Sequence, residues 1–250
     1  MKRYLALFLL ICLTSALAKA QLPQPDTLQT DNGILTIHPI HHATLVLTWN
    51  GQNIYVDPTQ GAKAFKGIGS PNVIFITHAH GDHMDIKTLK ELNTDGVPMV
   101  VPQSVAKQLP NEFQDQLVIM KNGDTTGEVG FPVRAIPMYN LPQSPDSYHP
   151  KGWGNGYVLT LGGKRVYLSG DTEDIPEMRS LKNIDVAFVC MNLPYTMDVK
   201  QAASAVLDFK PRIVYPYHYR GQDIQKFKEL VNAKNDKIEV RLRDWYAKIK

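Results

Sequence analysis

One nine-residue stretch constrains this chain more than any other: Thr77-His78-Ala79-His80-Gly81-Asp82-His83-Met84-Asp85. It follows the apolar run Val73-Ile74-Phe75-Ile76, and an apolar run that ends in a glycine-containing turn is typical of a buried β-strand. In α/β folds, functional groups collect at the carboxyl ends of such strands. The sequence therefore predicts an α/β protein with a polar site at the end of this strand.

The residue types in this stretch indicate a metal site. His78 and His80 are two residues apart, so their side chains share one side of an extended backbone. Asp82 and His83 are adjacent and diverge, which suits a second metal close to the first. Imidazole combined with carboxylate favours zinc over iron or manganese. A polar, histidine-rich loop without a metal is the alternative interpretation.

Two later segments extend the pattern. Ser169-Gly170-Asp171-Thr172 follows a predicted strand, and Tyr215-Pro216-Tyr217-His218 follows another. With the opening motif they resemble, in order and spacing, the signature of the metallo-β-lactamase superfamily, and the resemblance covers nearly the whole chain after about residue 33. It implies an α/β (α+β) fold, the four-layer αβ/βα sandwich of that family.

The resemblance also implies a ligand set for two divalent metal ions. His78, His80 and His149 are expected to hold the first ion, Asp82, His83 and His218 the second, and Asp171 to bridge them. His149 is the open position, because relatives place a histidine soon after the preceding strand and this chain has Asn140 there, with His149 nine residues further on. Either His149 folds back, or the Asn140 amide oxygen replaces it, or the first ion is loosely held.

The function implied by the resemblance is hydrolysis. Two divalent ions lower the pKa of a shared water from 15.7 to about 7, which yields a bridging hydroxide as the nucleophile. Asp82 and Asp171 are the expected catalytic carboxylates. The pattern is most similar to the branch of ascorbate-6-phosphate lactonase-like and N-acyl-phosphatidylethanolamine phospholipase D-like proteins, so we expect a small-molecule or lipid-like lactone, ester or phosphodiester. A β-lactam hydrolase and a non-catalytic metal-binding protein are the alternatives.

The first twenty residues have the features of a cleaved signal peptide. Lys2 and Arg3 precede an apolar stretch from 4 to 17, and small residues occupy both recognition positions in Ala18-Lys19-Ala20. The apolar stretch is shorter than the roughly 20 residues that span a bilayer. We therefore expect export, to a bacterial periplasm, as a single domain from 21 to 250 without stable membrane insertion.

Removal of the leader changes the charge of the chain. The leader contains three basic residues and no acidic one, so 27 basic and 24 acidic residues become 24 and 24. A net charge of zero argues against nucleic acid as a partner. Cys190 remains as the one cysteine and cannot form an internal disulfide, so stability must come from packing and metal. We expect it to lie buried in a strand.

Several residues near the motif have two interpretations. Asp57 ends a strand and either hydrogen-bonds a ligand histidine or caps a turn. The three upstream histidines are expected to be ordinary loop or strand-edge residues near the mouth: His38, His41 and His42. The proline-rich segment 139–153 has the composition of a substrate lid.

Overall fold

The structure is a computed structural model that describes residues 24–247 of the chain. The predicted leader, residues 1–20, lies outside the described residues, and its cleavage stays a prediction. Within residues 24–247, no helix combines the length and the apolar character needed to cross a bilayer.

The first half of the described chain forms a seven-stranded sheet whose strands are arranged in sequence order. The strands are β1 (Asp26–Thr30), β2 (Gly33–His41), β3 (Thr44–Trp49), β4 (Gln52–Val56), β5 (Val73–Phe75), β6 (Met99–Val101) and β7 (Leu117–Ile119). β1 to β4 pair antiparallel, and β4 to β7 pair parallel. The alternating apolar residues of 33–56 are typical of the meander β2–β4, whereas the polar residues before it are typical of an extended arm. β1 instead pairs with β2, because Leu28 packs against the core.

The second half repeats this arrangement in a second seven-stranded sheet. Its strands are β8 (Thr125–Thr126), β9 (Val133–Met138), β10 (Gly154–Leu161), β11 (Lys164–Leu168), β12 (Val186–Cys190), β13 (Ile213–Tyr217) and β14 (Glu239–Val240). β8 to β11 pair antiparallel, and β11 to β14 pair parallel. Both halves therefore begin with an antiparallel meander and end with parallel strands.

Within the described residues, five α-helices accompany the parallel strands: α1 (Ile86–Glu91), α2 (Gln103–Ala106), α3 (Pro176–Arg179), α4 (Val199–Phe209) and α5 (Ile224–Asn232). Asp85 caps α1, since its side chain accepts hydrogen bonds from the backbone N–H groups of Lys87 and Thr88 at 3.0 and 3.3 Å. Asp198 and Asp223 cap α4 and α5 in the same way.

The side-chain alternation of β5 shows how the layers pack. Val73 and Phe75 lie in the core between the sheets, where the ring of Phe75 contacts Tyr157 at a centroid distance of 5.2 Å. Ile74 belongs to a separate cluster with Leu89 of α1 and Val105 of α2. On the second sheet, Tyr167 packs against Phe209 of α4. Helices therefore cover the outer faces of two facing sheets, which confirms the predicted αβ/βα sandwich.

Candidate metal centre

The predicted ligands lie on loops at one edge of the sandwich. The stretch from 77 to 85 follows β5, Asp171 follows β11 and His218 follows β13, so three parallel strands deliver these residues from their carboxyl ends. His149 lies on the loop between β9 and β10. The fold therefore brings residues from both halves of the chain to one place.

Asp171 lies at the centre of this cluster and is 3% exposed. Its Oδ1 is 3.3 Å from Nε2 of His83, and its Oδ2 is 3.3 Å from Nε2 of His218 and 3.5 Å from Nε2 of His149. Nε2 of His78 is 4.0 Å from the same Oδ2. One carboxylate thus contacts or approaches imidazoles of both predicted ligand sets.

The first predicted set comes together as the sequence indicated. His78, His80 and His149 each offer a nitrogen, and these three atoms lie within 4.8 Å of one another. Nδ1 of His149 donates a hydrogen bond to Oδ1 of Asn140 at 3.1 Å, which leaves Nε2 directed to the cluster. The Asn140 amide N–H₂ donates to the backbone carbonyl of Tyr195. Asn140 therefore orients His149, and His149 joins the other two histidines.

The second predicted set is not grouped as the sequence predicted, because His42 takes the place of His83 beside Asp82 and His218. Ligand atoms of Asp82 and His218 lie within 4.8 Å of each other and of His42, whereas His83 groups with His78 and Asp171. His42 is 2% exposed, and its ring packs against that of His218 at a centroid distance of 3.7 Å, with the two planes tilted by 36°. The expectation that His42 is an ordinary loop or strand-edge residue was wrong. The backbone turns at φ 55° at His42, and that turn cannot be read from a histidine in the sequence.

Asp57 supports the imidazole of His83. Its Oδ2 accepts a hydrogen bond from Nδ1 of His83 at 2.7 Å and another from Oγ1 of Thr77 at 2.8 Å. Oδ1 accepts from the backbone N–H of Thr77 at 2.7 Å. Because a carboxylate can only accept, Nδ1 of His83 carries a proton, and in the neutral form of the ring Nε2 keeps its lone pair for another partner. Of the two interpretations of Asp57, the structure shows the hydrogen bond to the histidine.

Two glycines allow the backbone to approach this centre closely. Gly170 has φ +60°, as expected for the tight turn before Asp171, and a Cβ there would lie 2.8 Å from the sulfur of Met138. A Cβ on Gly154 would lie 2.7 Å from the same sulfur and 3.0 Å from Cβ of His78. The left-handed backbone therefore favours glycine at position 170, and the closeness of Met138 and His78 favours it at position 154.

The surroundings of most histidines in the cluster lower their pKa and so favour the neutral imidazole. Burial lowers the pKa of His149 to about 4, against the attraction of Asp171, and lowers the pKa of His42 to about 4. Burial and the neighbouring His83 hold the pKa of His78 well below its ordinary value. Neutral imidazole is the form that binds metals.

His83 is the exception. Burial opposes its charge, but the carboxylates of Asp171 and Asp57 outweigh burial and raise the pKa of His83 well above 6.5. Burial likewise favours neutral Asp171, but the neighbouring His218 and His83 hold the pKa of Asp171 well below its usual range. A positive charge is therefore favoured beside these two carboxylates.

The polar atoms that face the cluster fit a metal-binding site. Among the described residues, buried atoms without a hydrogen-bond partner include Nε2 of His83, Nε2 of His149, Oδ1 of Asp171 and both ring nitrogens of His218. A buried polar group without a partner is costly. Their convergence, with imidazole and carboxylate as the donor set, matches the ligand preference of divalent zinc, iron or manganese.

A pocket of about 350 Å³ opens beside the cluster. The residues that line it are His80, Gly81, Asp82, Tyr148, His149, Asp171, Asn192, Tyr195, His218 and Arg220. Its wall therefore combines ligand residues with two tyrosines that are about half exposed.

Three tyrosines on segments close to the metal centre have hydroxyl groups that are engaged elsewhere. The hydroxyl of Tyr139 donates to Glu177, that of Tyr219 donates to the carbonyl of Arg243, and that of Tyr217 accepts from the backbone N–H of Gly170. These three tyrosines are not among the residues that line the pocket. Cys190 is buried in β12, as predicted, and burial raises the pKa of its thiol to about 12.

The fold and the site define a metal-dependent hydrolase of the metallo-β-lactamase fold. Residues 46–219 match the family model described as the beta-lactamase superfamily domain, and the chain belongs to that family. This confirms the superfamily that the sequence motifs indicated.

Comparisons with individual proteins agree with this family assignment. The chain is 33% identical to a metal-dependent hydrolase of Thermococcus kodakarensis, over 68% of this chain and 77% of that protein. A solved structure from Parabacteroides distasonis, designated a metal-dependent hydrolase, is 40% identical with a TM-score of 0.80, covering 88% of this chain and 98% of that one. Igni18, a metallo hydrolase of Ignicoccus hospitalis, shares the fold at 24% identity with a TM-score of 0.70. The match covers 84% of this chain and 95% of Igni18.

Proposed function

We propose that this protein is an exported hydrolase that binds two divalent ions and cleaves a lactone, ester or phosphodiester. The observation that carries the proposal is the convergence of unpartnered buried nitrogens and carboxylate oxygens around Asp171. In this proposal one ion is held by His78, His80 and His149, the other by Asp82, His83 and His218, and Asp171 is shared. Zinc is the expected metal, since imidazole nitrogens outnumber carboxylate oxygens in the set.

The chain's own residues have separate roles. When bound, the two ions supply a water of lowered pKa and polarise the bond to be cut. Asp171 lies beside both ligand sets, with Oδ1 near His83 and Oδ2 near His218 and His149, and its negative charge would offset the repulsion between two dications. Asp82 is half exposed at the pocket, where its carboxylate can accept a hydrogen bond from the attacking water and align it.

His42 keeps Asp82 in place for this role. Nε2 of His42 donates to Oδ2 of Asp82 at 3.1 Å, while Nδ1 accepts from the hydroxyl of Tyr246 at 2.7 Å. Because His42 links Asp82 to Tyr246, we assign it as a positioning residue for the Asp82 carboxylate.

A substrate panel tests the hydrolase assignment. Metal-free protein and protein reloaded with zinc are assayed on a lactone, a carboxylic ester, bis(p-nitrophenyl) phosphate and the β-lactam nitrocefin. We expect turnover of at least one of the first three, dependent on metal and lost in Asp82→Asn. Turnover of nitrocefin alone would favour β-lactam hydrolysis, and metal binding without any turnover would favour a non-catalytic metal-binding protein.

Export is proposed from the leader sequence. Lys2 and Arg3, the apolar stretch from 4 to 17 and the small residues Ala18 and Ala20 support it. Intact-mass measurement of the protein expressed in its full-length form is expected to give a chain that begins at Gln21. A mass that includes the first twenty residues would contradict cleavage.

A further inference from the structure

Exposed large apolar side chains are concentrated beside the mouth of the pocket. Six such residues occur on the surface of the described chain, and four of them lie on the two loops that border this pocket. These four form what we call the mouth patch: Leu141, Tyr148, Leu193 and Tyr195. They are 38%, 54%, 50% and 43% exposed. Single exposed apolar residues are ordinary on a protein surface, but a cluster at a cleft indicates a binding surface.

The mouth patch is continuous with the metal centre. Tyr148 directly precedes His149, and the rings of Tyr148 and Tyr195 meet edge to face at a centroid distance of 4.8 Å. Both tyrosines line the same pocket as Asp82, Asp171 and His218. A molecule with its reacting group near Asp171 can therefore lay an attached chain or ring across the two tyrosines.

Hydrogen bonds hold the two loops in this arrangement. Asn140 and His149 exchange backbone and side-chain hydrogen bonds across the base of the first loop, at 3.0 and 2.8 Å. The Asn140 amide also donates to the carbonyl of Tyr195 on the second loop at 2.8 Å. Glu173 accepts from Asn140 and from the backbone of Leu141. The patch is thus preorganised, which lowers the entropic cost of binding a ligand there.

The pocket also contains a side-chain amide that is suited to hydrogen-bonding a substrate. Asn192 is 5% exposed and lines the pocket, and its side-chain amide makes no hydrogen bond with any other residue among 24–247. Because Asn192 lines the pocket, its amide is placed to hydrogen-bond a ligand there. The pocket therefore offers a hydrogen-bonding group beside the reacting centre and an apolar surface further out.

We infer that the substrate carries an apolar acyl or aryl arm that binds on Tyr148 and Tyr195 while the bond to be cut lies near Asp171. This inference rests on the proposed function and specifies its substrate class. Esters or lactones of medium-chain or aromatic acids fit the site, and short, fully polar substrates leave the mouth patch exposed to water.

The test compares two carboxylates that differ only in the length of the arm. Binding of octanoate and acetate to the zinc-loaded protein is measured by calorimetry at octanoate concentrations below micelle formation. Octanoate and acetate present the same carboxylate to the metals. The ratio of their affinities therefore measures how much the longer arm contributes to binding. We expect octanoate to bind at least tenfold more tightly, and the ratio to fall below about threefold in Tyr148→Ala/Tyr195→Ala with acetate affinity unchanged.

Controls separate the mouth patch from a general loss of structure. Tyr148→Phe/Tyr195→Phe is expected to retain the octanoate preference, as is Ile119→Ala, which removes an exposed apolar side chain that does not line this pocket. Equal affinities of octanoate and acetate in the wild type would overturn the inference. An octanoate preference that survives both tyrosine-to-alanine changes would also overturn it.

Two further measurements distinguish rival explanations. Zinc content, determined on the same samples, tests the proposed function independently of the arm preference. Sedimentation with phosphatidylglycerol vesicles tests whether the mouth patch instead binds a lipid surface. Vesicle binding that requires both tyrosines, with no preference for octanoate, would contradict the substrate-arm assignment.

Discussion

Nε2 of His42 lies 3.1 Å from Oδ2 of Asp82, which is 40 residues away in the sequence. The contact joins the end of the first meander to the metal motif. Tyr246, near the end of the described chain, completes the arrangement through Nδ1 of His42. Three distant segments therefore determine where the Asp82 carboxylate points.

Replacing His42 with phenylalanine keeps a ring that can stack on His218 but removes both hydrogen bonds. We expect the variant to bind the same number of zinc ions, with the weaker of them bound about 10- to 100-fold less tightly. Competition with a chelator of known affinity measures this change. His38→Phe, on β2 outside the cluster, is the control. Loss of a whole equivalent would show that His42 is a ligand.

His149 and Asn140 are predicted to have different effects. His149→Ala removes a ligand nitrogen, so bound metal is expected to fall from two equivalents to about one. Asn140→Ala leaves the imidazole present but without its hydrogen bond at 3.1 Å, so two ions are expected to bind with about 10- to 100-fold lower affinity. Elemental analysis of both purified variants measures the outcome. Unchanged metal content in His149→Ala would contradict the ligand assignment.

Asp57 is predicted to stabilise the fold as well as the site. Its fully buried carboxylate accepts three hydrogen bonds, and Asp57→Asn turns one acceptor oxygen into a donor that faces other donors. We expect the free energy of unfolding of the metal-free protein to fall by about 3 kcal/mol. Urea denaturation measures it, with the exposed Asp95→Asn as control. A change below about 0.5 kcal/mol would show that the network contributes little.

The metal-free protein is predicted to lose stability in acid through His149. Its pKa is lowered to about 4 in the folded state, against an ordinary value of 6.5. Between these values the unfolded chain binds a proton that the folded chain does not, so stability falls as the pH drops from 6.5 to 4. The contribution is at most about 3 kcal/mol.

His149→Gln is the variant that isolates this contribution. Denaturation measured from pH 7 to pH 4 is expected to show a shallower loss of stability in the variant than in the wild type. His83 acts in the opposite direction, because its raised pKa contributes stability below pH 6.5 that is lost at higher pH. Parallel pH profiles for wild type and variant would contradict the lowered pKa of His149.

Local sequence signals predicted much of the architecture. The buried strand before the motif, the cap at Asp85 and the tight turn at Gly170 all follow from residue type and short-range spacing. The order of the two β-rich halves follows from the same signals. Each depends on neighbours within a few residues, which is the range over which sequence patterns are informative.

The features that the sequence did not reveal depend on contacts between distant segments. His42 joins the site because a left-handed turn and the packing of Tyr246 place it there, and neither has a signal in the residues around it. Tyr195 lines the pocket because Asn140, 55 residues away, binds its carbonyl. The choice between Asn140 and His149 likewise required the conformation of the loop, since both residue types can bind metal.

The central claim is that residues from both halves of the chain form one cage for two metal ions around Asp171. Native mass spectrometry of the metal-free protein titrated with zinc counts the ions bound to each chain. We predict two ions for the wild type, and weaker binding of both ions in Asp171→Ala, because the shared carboxylate is lost from both sets. A wild-type chain that binds one ion or none, or an Asp171→Ala variant that binds two ions as tightly as the wild type, would contradict the account.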